Sequence, residues 1–137
     1  MQPVIDSFIS GLPILMLHSS VTIAILLAGI WLYIWMTPWD EMALIRKGNN
    51  AAALSLGGAI VGLALPLAIA MAASVSVYEI ILWGPVTLIL QIIAYRVADI
   101  VMRTLPKRIE DGQMSAAILL VSIKLAAAII NAAAVSG

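Results

Sequence analysis

The chain has 137 residues, 64% hydrophobic and only 10% charged, with a mean hydropathy of +1.13. A soluble domain of this size carries about a quarter of its residues charged, so there is too little polar surface here for a water-facing shell, and the apolar surface must face lipid. Formal net charge is zero, which excludes the electrostatic footprint of a nucleic-acid binder, and without cysteine there are no disulfides, thiolate chemistry or Cys-based metal sites.

The N-terminal stretch "MQPVIDSFIS" has no Lys or Arg and carries Asp6. It lacks the basic leader of a cleavable signal peptide, so the first apolar segment is expected to remain in the mature protein. Crossing a bilayer takes about twenty apolar residues in helical form, because backbone polar groups in lipid must be satisfied within the segment. Four stretches meet this, at about 12–36, 50–74, 77–102 and 115–135, all in a single membrane domain over 1–137. The first stops at Thr37-Pro38-Trp39, where Pro38 disfavours helix in the residue before it. Pro66 and Pro85 lie inside spans, where prolines are tolerated and mark kinks.

Orientation follows from the loops. Arg46 and Lys47 lie between the first two spans, and Arg103, Lys107 and Arg108 between the last two. The N-terminal tail, the "SVSVYE" connection and the C-terminal "VSG" carry no Lys or Arg. The positive-inside rule then places both termini outside the cytoplasm. Trp31, Trp35 and Trp39 would mark the inner end of the first span, and Tyr78 and Trp83 the outer end of the third.

"IRKGNNAAAL" (45–54) aligns with "IEDGQMSAAI" (109–118) at a constant offset of 64, pairing Gly48 with Gly112 and Ala52-Ala53 with Ala116-Ala117. Each copy is a charged loop, a Gly that permits a sharp turn, then a polar residue opening an Ala-rich helix. Asn49 or Asn50 in the first copy, and Ser115 in the second, can cap exposed helical N–H groups. Ala-rich membrane helices also resemble one another without any repeat. On the repeat reading, its units cover about 10–74 and 75–137. They are two parallel-oriented helical hairpins related by a pseudo-two-fold axis along the membrane normal.

The run at 37–67, "TPWDEMALIRKGNNAAALSLGGAIVGLALPL", resembles the bacterial membrane family known as domain of unknown function 350, the YjfL-like proteins. Thr37-Pro38, Glu41, Leu44-Ile45, Asn49-Asn50 with the following Ala run, Gly58, Gly62 and Pro66-Leu67 carry the likeness. Trp83-Gly84, Gln91 and Asn131-Ala132-Ala133 extend it over nearly the whole chain. The resemblance implies a small inner-membrane protein built from tandem two-helix units. It also implies a cytosolic peripheral membrane protein as partner, since some relatives are encoded beside phage-shock-like peripheral membrane proteins. It implies no particular chemistry.

The third span holds a stair of polar residues four apart: Glu79, Thr87, Gln91, Tyr95, Asp99 and Arg103, with Trp83 on the missing step. Residues at i and i+4 are helix neighbours, and each step turns about 40° beyond a full circle, so the stripe winds slowly round the helix. One reading turns it into the bundle as a polar path. The other makes Arg96, Asp99 and Arg103 an ion-pair cluster near the cytosolic interface, where long side chains reach water cheaply. Lys124 differs, lying about ten residues into the fourth span, roughly 15 Å from its cytosolic end at 1.5 Å per residue. It needs a partner, and Asp99 is the natural one, with Arg96 pointing to the headgroups. The pair would either line a path or act as a structural bridge between the last two spans. His18, the one histidine, should lie at the depth of Glu79, as a proton relay or as a hydrogen-bonded outer residue.

In the second span, Ala53-x-x-x-Gly57 and Gly58-x-x-x-Gly62 place small residues one turn apart and should let backbones approach closely. Nothing resembles a P-loop, a metal motif or a nucleophile with its base, so no enzymatic activity, metal or cofactor is expected. The functional expectation is an oligomeric permeation or transport unit for an ion or small solute. The alternative is a non-transporting platform that recruits a peripheral envelope-stress protein through its cytosolic loops. Accessibility labels at Gln2 and Gly137 should report the non-cytosolic side, and labels at Gly48 and Gly112 the cytosol. A cytosolic C-terminus would overturn the charge argument and the repeat orientation together.

Overall fold

A computed structural model describes residues 1–37 and 40–137, and among these the ordered structure is entirely helical. The order is α1 (Gln2–Met36), α2 (Glu41–Arg46), α3 (Asn50–Ala73), α4 (Val77–Val101), α5 (Thr104–Glu110) and α6 (Met114–Ser136). Four of these, α1, α3, α4 and α6, are long and apolar enough to cross a membrane. Pro38 and Trp39 lie outside the described residues; α1 ends at Met36 with Thr37 extended behind it. The helix begins ten residues ahead of the expected span. Pro3 is tolerated in its first turn, and the polar segment is supported by Gln2 donating to Asp6 and Ser10 to the Asp6 carbonyl.

Two short helices that hydropathy did not separate from the loops, α2 and α5, precede α3 and α6. Asp40 caps α2 by accepting from Ala43 N at 3.0 Å. Gly48 and Gly112 have φ of 86° and 85°, a left-handed conformation that L side chains rarely adopt, and each reverses the chain from a short helix into a long one. Asn49, after the first glycine, caps α3 by accepting from Ala52 N at 3.0 Å. Its amide also donates to the carbonyls of Ile109 and Glu110, at 3.1 and 3.2 Å, and so ties the end of α5 to the start of α3. Asn50 is not a cap, because it is already the first helical residue. Ser115 is not one either: it lies inside α6 and accepts from Arg108 instead.

The core has two parts. Near α2 and α5, Ala51 and Ala52 of α3 pack against Ala116, Ala117 and Leu120 of α6, closed by Leu105 and Ile109. Further along, Leu56, Ala59, Leu63 and Leu67 meet Tyr33, Leu88, Ile92 and Tyr95. Small residues set the spacing. A Cβ at Gly58 would lie 2.5 Å from Val121, and one at Gly62 would overlap the Tyr95 hydroxyl and touch Ala128. Hence α3 and α6 run side by side in one direction, in near-backbone contact. Gly29 against Leu88 and Gly84 against Ile25 set α1 beside α4 in the same way.

The other half of the small-residue stripe does not serve this contact. Ala53 and Gly57 are exposed, and a Cβ at Gly57 would meet nothing within 4 Å. A helix advances 100° per residue, so Gly57 lies well round from Gly58, and only the Gly58–Gly62 row faces α6. The outward surfaces are apolar, and α1 above all is turned away from the core.

Gly62→Ala should therefore displace the Tyr95 hydroxyl and lower stability by about 1–3 kcal/mol, and Gly58→Leu should cost more. Gly57→Leu should be close to neutral. Unfolding in detergent reads all three, and equal tolerance would mean that α3 and α6 are not in close contact.

Candidate functional site

The middle of the α4 stair is inside the bundle: Thr87, Gln91, Tyr95 and Asp99 are all buried. Its ends are not, with Glu79 half-buried and Trp83 and Arg103 exposed. The drift of about 40° per step accounts for this, since a stripe centred on the core at Gln91 and Tyr95 has rotated out of it some two to three steps away.

The deep end is built from four helices. Lys124 of α6 is 1% exposed, and its Nζ lies 3.0 Å from Asp99 Oδ1 of α4. The same ammonium donates to the hydroxyl of Tyr33 on α1 at 3.0 Å. It also sits 5.2 and 5.1 Å from the ring centroids of Tyr33 and Tyr95, which pack edge-to-face 5.7 Å apart. The Tyr33 contact is made at its hydroxyl edge and the Tyr95 ring lies within cation–π range, so Lys124 exchanges hydration for a carboxylate, a phenol and an aromatic ring. From α2, the buried Glu41 acts electrostatically on the Tyr33 phenol.

Arg96 turns back to Asp99, its Nη1 3.3 Å from Oδ2, with its side chain 27% exposed. Its place near the end of the span, read from sequence alone, points it at the headgroups instead. As an (i, i+3) neighbour it reaches the oxygen that Lys124 leaves free, while part of the guanidinium stays at the surface. Asp99 thus divides its two oxygens between two cations, and Arg103 has no place in this cluster.

Towards the other end, Tyr95 donates to the Ala59 carbonyl at 3.0 Å, in the space that Gly62 leaves. Gln91 Oε1 accepts from Asn131 Nδ2 of α6 at 3.0 Å. Beyond that clasp a cleft of about 520 Å³ opens between α3, α4 and α6, lined in part by Glu79, Thr87 and Asn131. His18 does not line it. Its carbonyl accepts from Thr22, Glu79 accepts from Val75 N at 2.7 Å, and no ion pair joins the two among the described residues.

Residues 7–135 match the family described as Domain of Unknown Function (DUF350). The chain belongs to this family. It is 29% identical over 111 residues to the inner membrane protein YjfL of Escherichia coli K12, covering 81% of this chain and 84% of that relative. The YjfL of E. coli O157:H7 gives the same figures. No solved structure matches the chain. With four membrane-length helices, the likeness makes this DUF350 chain a multi-pass inner-membrane protein.

Tyr33 and Glu41 are the site residues of this DUF350 chain that sequence reasoning missed. Tyr33 had a signal, since it carries the one hydroxyl in the stretch 23–36 and stands four residues after the small Gly29 on the same face of α1, where both are buried. Glu41 had a weaker one. Its helix neighbours Leu44 and Ile45 pack on the core, and this carries the carboxylate inwards from a segment that reads as a charged loop.

Asp99→Asn should destabilise the fold by roughly 3–5 kcal/mol, because it removes the carboxylate from the buried Lys124, and Lys124→Met should cost less, because Arg96 still pairs with Asp99. The double change should recover most of that. A double variant no more stable than the worse single one would show that the ion pair is not what each change disrupts.

Proposed function

We propose that the protein is a small permeation or transport unit for an ion or small solute, assembled as a homo-oligomer in the bilayer. The observation that carries this is Lys124, almost wholly buried at the foot of a polar column. The column runs through Tyr95 and the Gln91–Asn131 clasp to the open cleft beside Glu79. Charge inside an apolar bundle is costly to keep, and a column ending in an open cleft is the arrangement expected of a pathway. Four helices rarely enclose a path alone, and the outward-facing α1 leaves a broad apolar surface for other copies as well as for lipid. In this reading both termini and the cleft lie on the outer side, and the two hairpins form parallel repeats about the α3–α6 contact.

A second reading draws on α2 and α5. They are ordered helices, tied together through Asn49, with Arg46, Lys47, Lys107 and Arg108 exposed. That surface suits a platform for a cytosolic peripheral membrane protein of the envelope-stress type.

Flux of protons, K⁺, Na⁺ and chloride into proteoliposomes separates the two. The wild type should pass at least one of these, and the folded Asp99→Asn/Lys124→Met protein should fall to background. Reversing the charges at Arg46, Lys47, Lys107 and Arg108 should leave the rate within about twofold. No flux from wild type, together with loss of function in cells only on loop reversal, would replace transport by the platform.

A further inference from the structure

The cleft at the end of the bundle away from α2 and α5 has a chemistry of its own. Its lining contains one charged residue, Glu79, and no cation. Glu79 takes the Val75 N–H and makes no other hydrogen bond or ion pair among the described residues. Thr87, 2% exposed, presents to the cleft a hydroxyl that makes no hydrogen bond among the described residues. Asn131 uses its Nδ2 on Gln91, which leaves its carbonyl oxygen open. Apart from the indole N–H of Trp83 and the Ser74 hydroxyl, which already donates to the Ala70 carbonyl, the open polar groups are a carboxylate, a hydroxyl and an amide oxygen, all able to accept. Such a wall repels anions and is completed by a donor that carries positive charge.

We propose that this cleft binds a linear primary alkylamine bearing a neutral hydrogen-bonding group at its far end. The ammonium rests on Glu79 beside Trp83, one helical turn away and also in the lining, whose indole ring is the best aromatic partner for a cation. Thr87 is two turns from Glu79, roughly 12 Å along α4 at 1.5 Å per residue, which is too far for one ammonium to touch both. Hydrogen bonds of about 2.9 Å at each end leave roughly 6 Å for the body, about four to six carbons. The apolar walls, including Leu90 and Val135, suit those methylenes. The far group meets only Thr87 and Asn131, both neutral. A second ammonium there would lack a counter-charge in a poorly hydrated floor, so an amino alcohol fits better than a diamine. A volume near 520 Å³ is within the range of small-molecule sites. The cleft is also the outer mouth of the path proposed above, yet this binding needs neither Lys124 nor conduction.

Calorimetric titration of the whole protein in detergent tests the proposal, with 5-amino-1-pentanol compared against pentylamine, 1,5-diaminopentane and 1-pentanol. The amino alcohol should bind most tightly. Glu79→Gln, which keeps an acceptor for Val75 N, should weaken it at least about tenfold. Thr87→Val should reduce it to the level of pentylamine, while Thr87→Ser should retain it. The Asp99→Asn/Lys124→Met double variant should bind as wild type does, even where its flux is lost. Equal binding of 1-pentanol, an unchanged affinity in folded Glu79→Gln, tightest binding of the diamine, or no heat with any amine would each overturn the assignment.

Discussion

A lysine ammonium in the middle of an apolar bundle has to be answered by nearby acceptors, and the arrangement of this protein follows from how that is done. Lys124 extends from α6 to reach Asp99 on α4 and Tyr33 on α1, so one side chain draws three membrane helices to a common point. The aromatic rings complete the enclosure. Because Arg96 holds the other oxygen of Asp99, the carboxylate faces positive charge on both sides. The result is a deep polar joint where hydrophobic packing alone would leave helices of similar apolar surface free to rotate.

Glycine makes that joint geometrically possible. Gly62 gives Tyr95 room to lie against α3 and donate to the Ala59 carbonyl, which sets the ring that faces Lys124. Gly58 lets α6 approach α3. At the other end, Gly48 and Gly112 supply the positive φ that turns each short helix into a long one. Backbone permissiveness thus acts in two roles, close approach within the bilayer and chain reversal at its edge.

Polarity changes along the column in a way that matters for chemistry. At the α2–α5 end it holds Lys124, Asp99, Arg96 and Glu41; in the middle, an amide clasp and a phenol; at the open end, acceptors with a single carboxylate. The open end thus presents a carboxylate with no cation, while the α2–α5 end balances two cations against two carboxylates.

The amino-acid sequence by itself determined that this is an all-helical membrane protein with four spans, and its likeness to the DUF350 family was legible in residues 37–67. Both rest on local quantities, apolar run length and short motifs. It also marked Asp99 and Lys124 as partners, because few groups can lie that deep without one. Which half of the glycine stripe faces protein, where α2 and α5 bring Glu41, how Tyr33 joins the lysine, and where the column opens into a cleft were decided only by tertiary packing. Those features depend on the rotation of each helix about its axis, and outside the polar stripe of α4 the helices are apolar round most of their circumference, so little amphipathic pattern encodes that rotation. It is set by which side chains interlock, and that is a property of helix pairs rather than of any one segment.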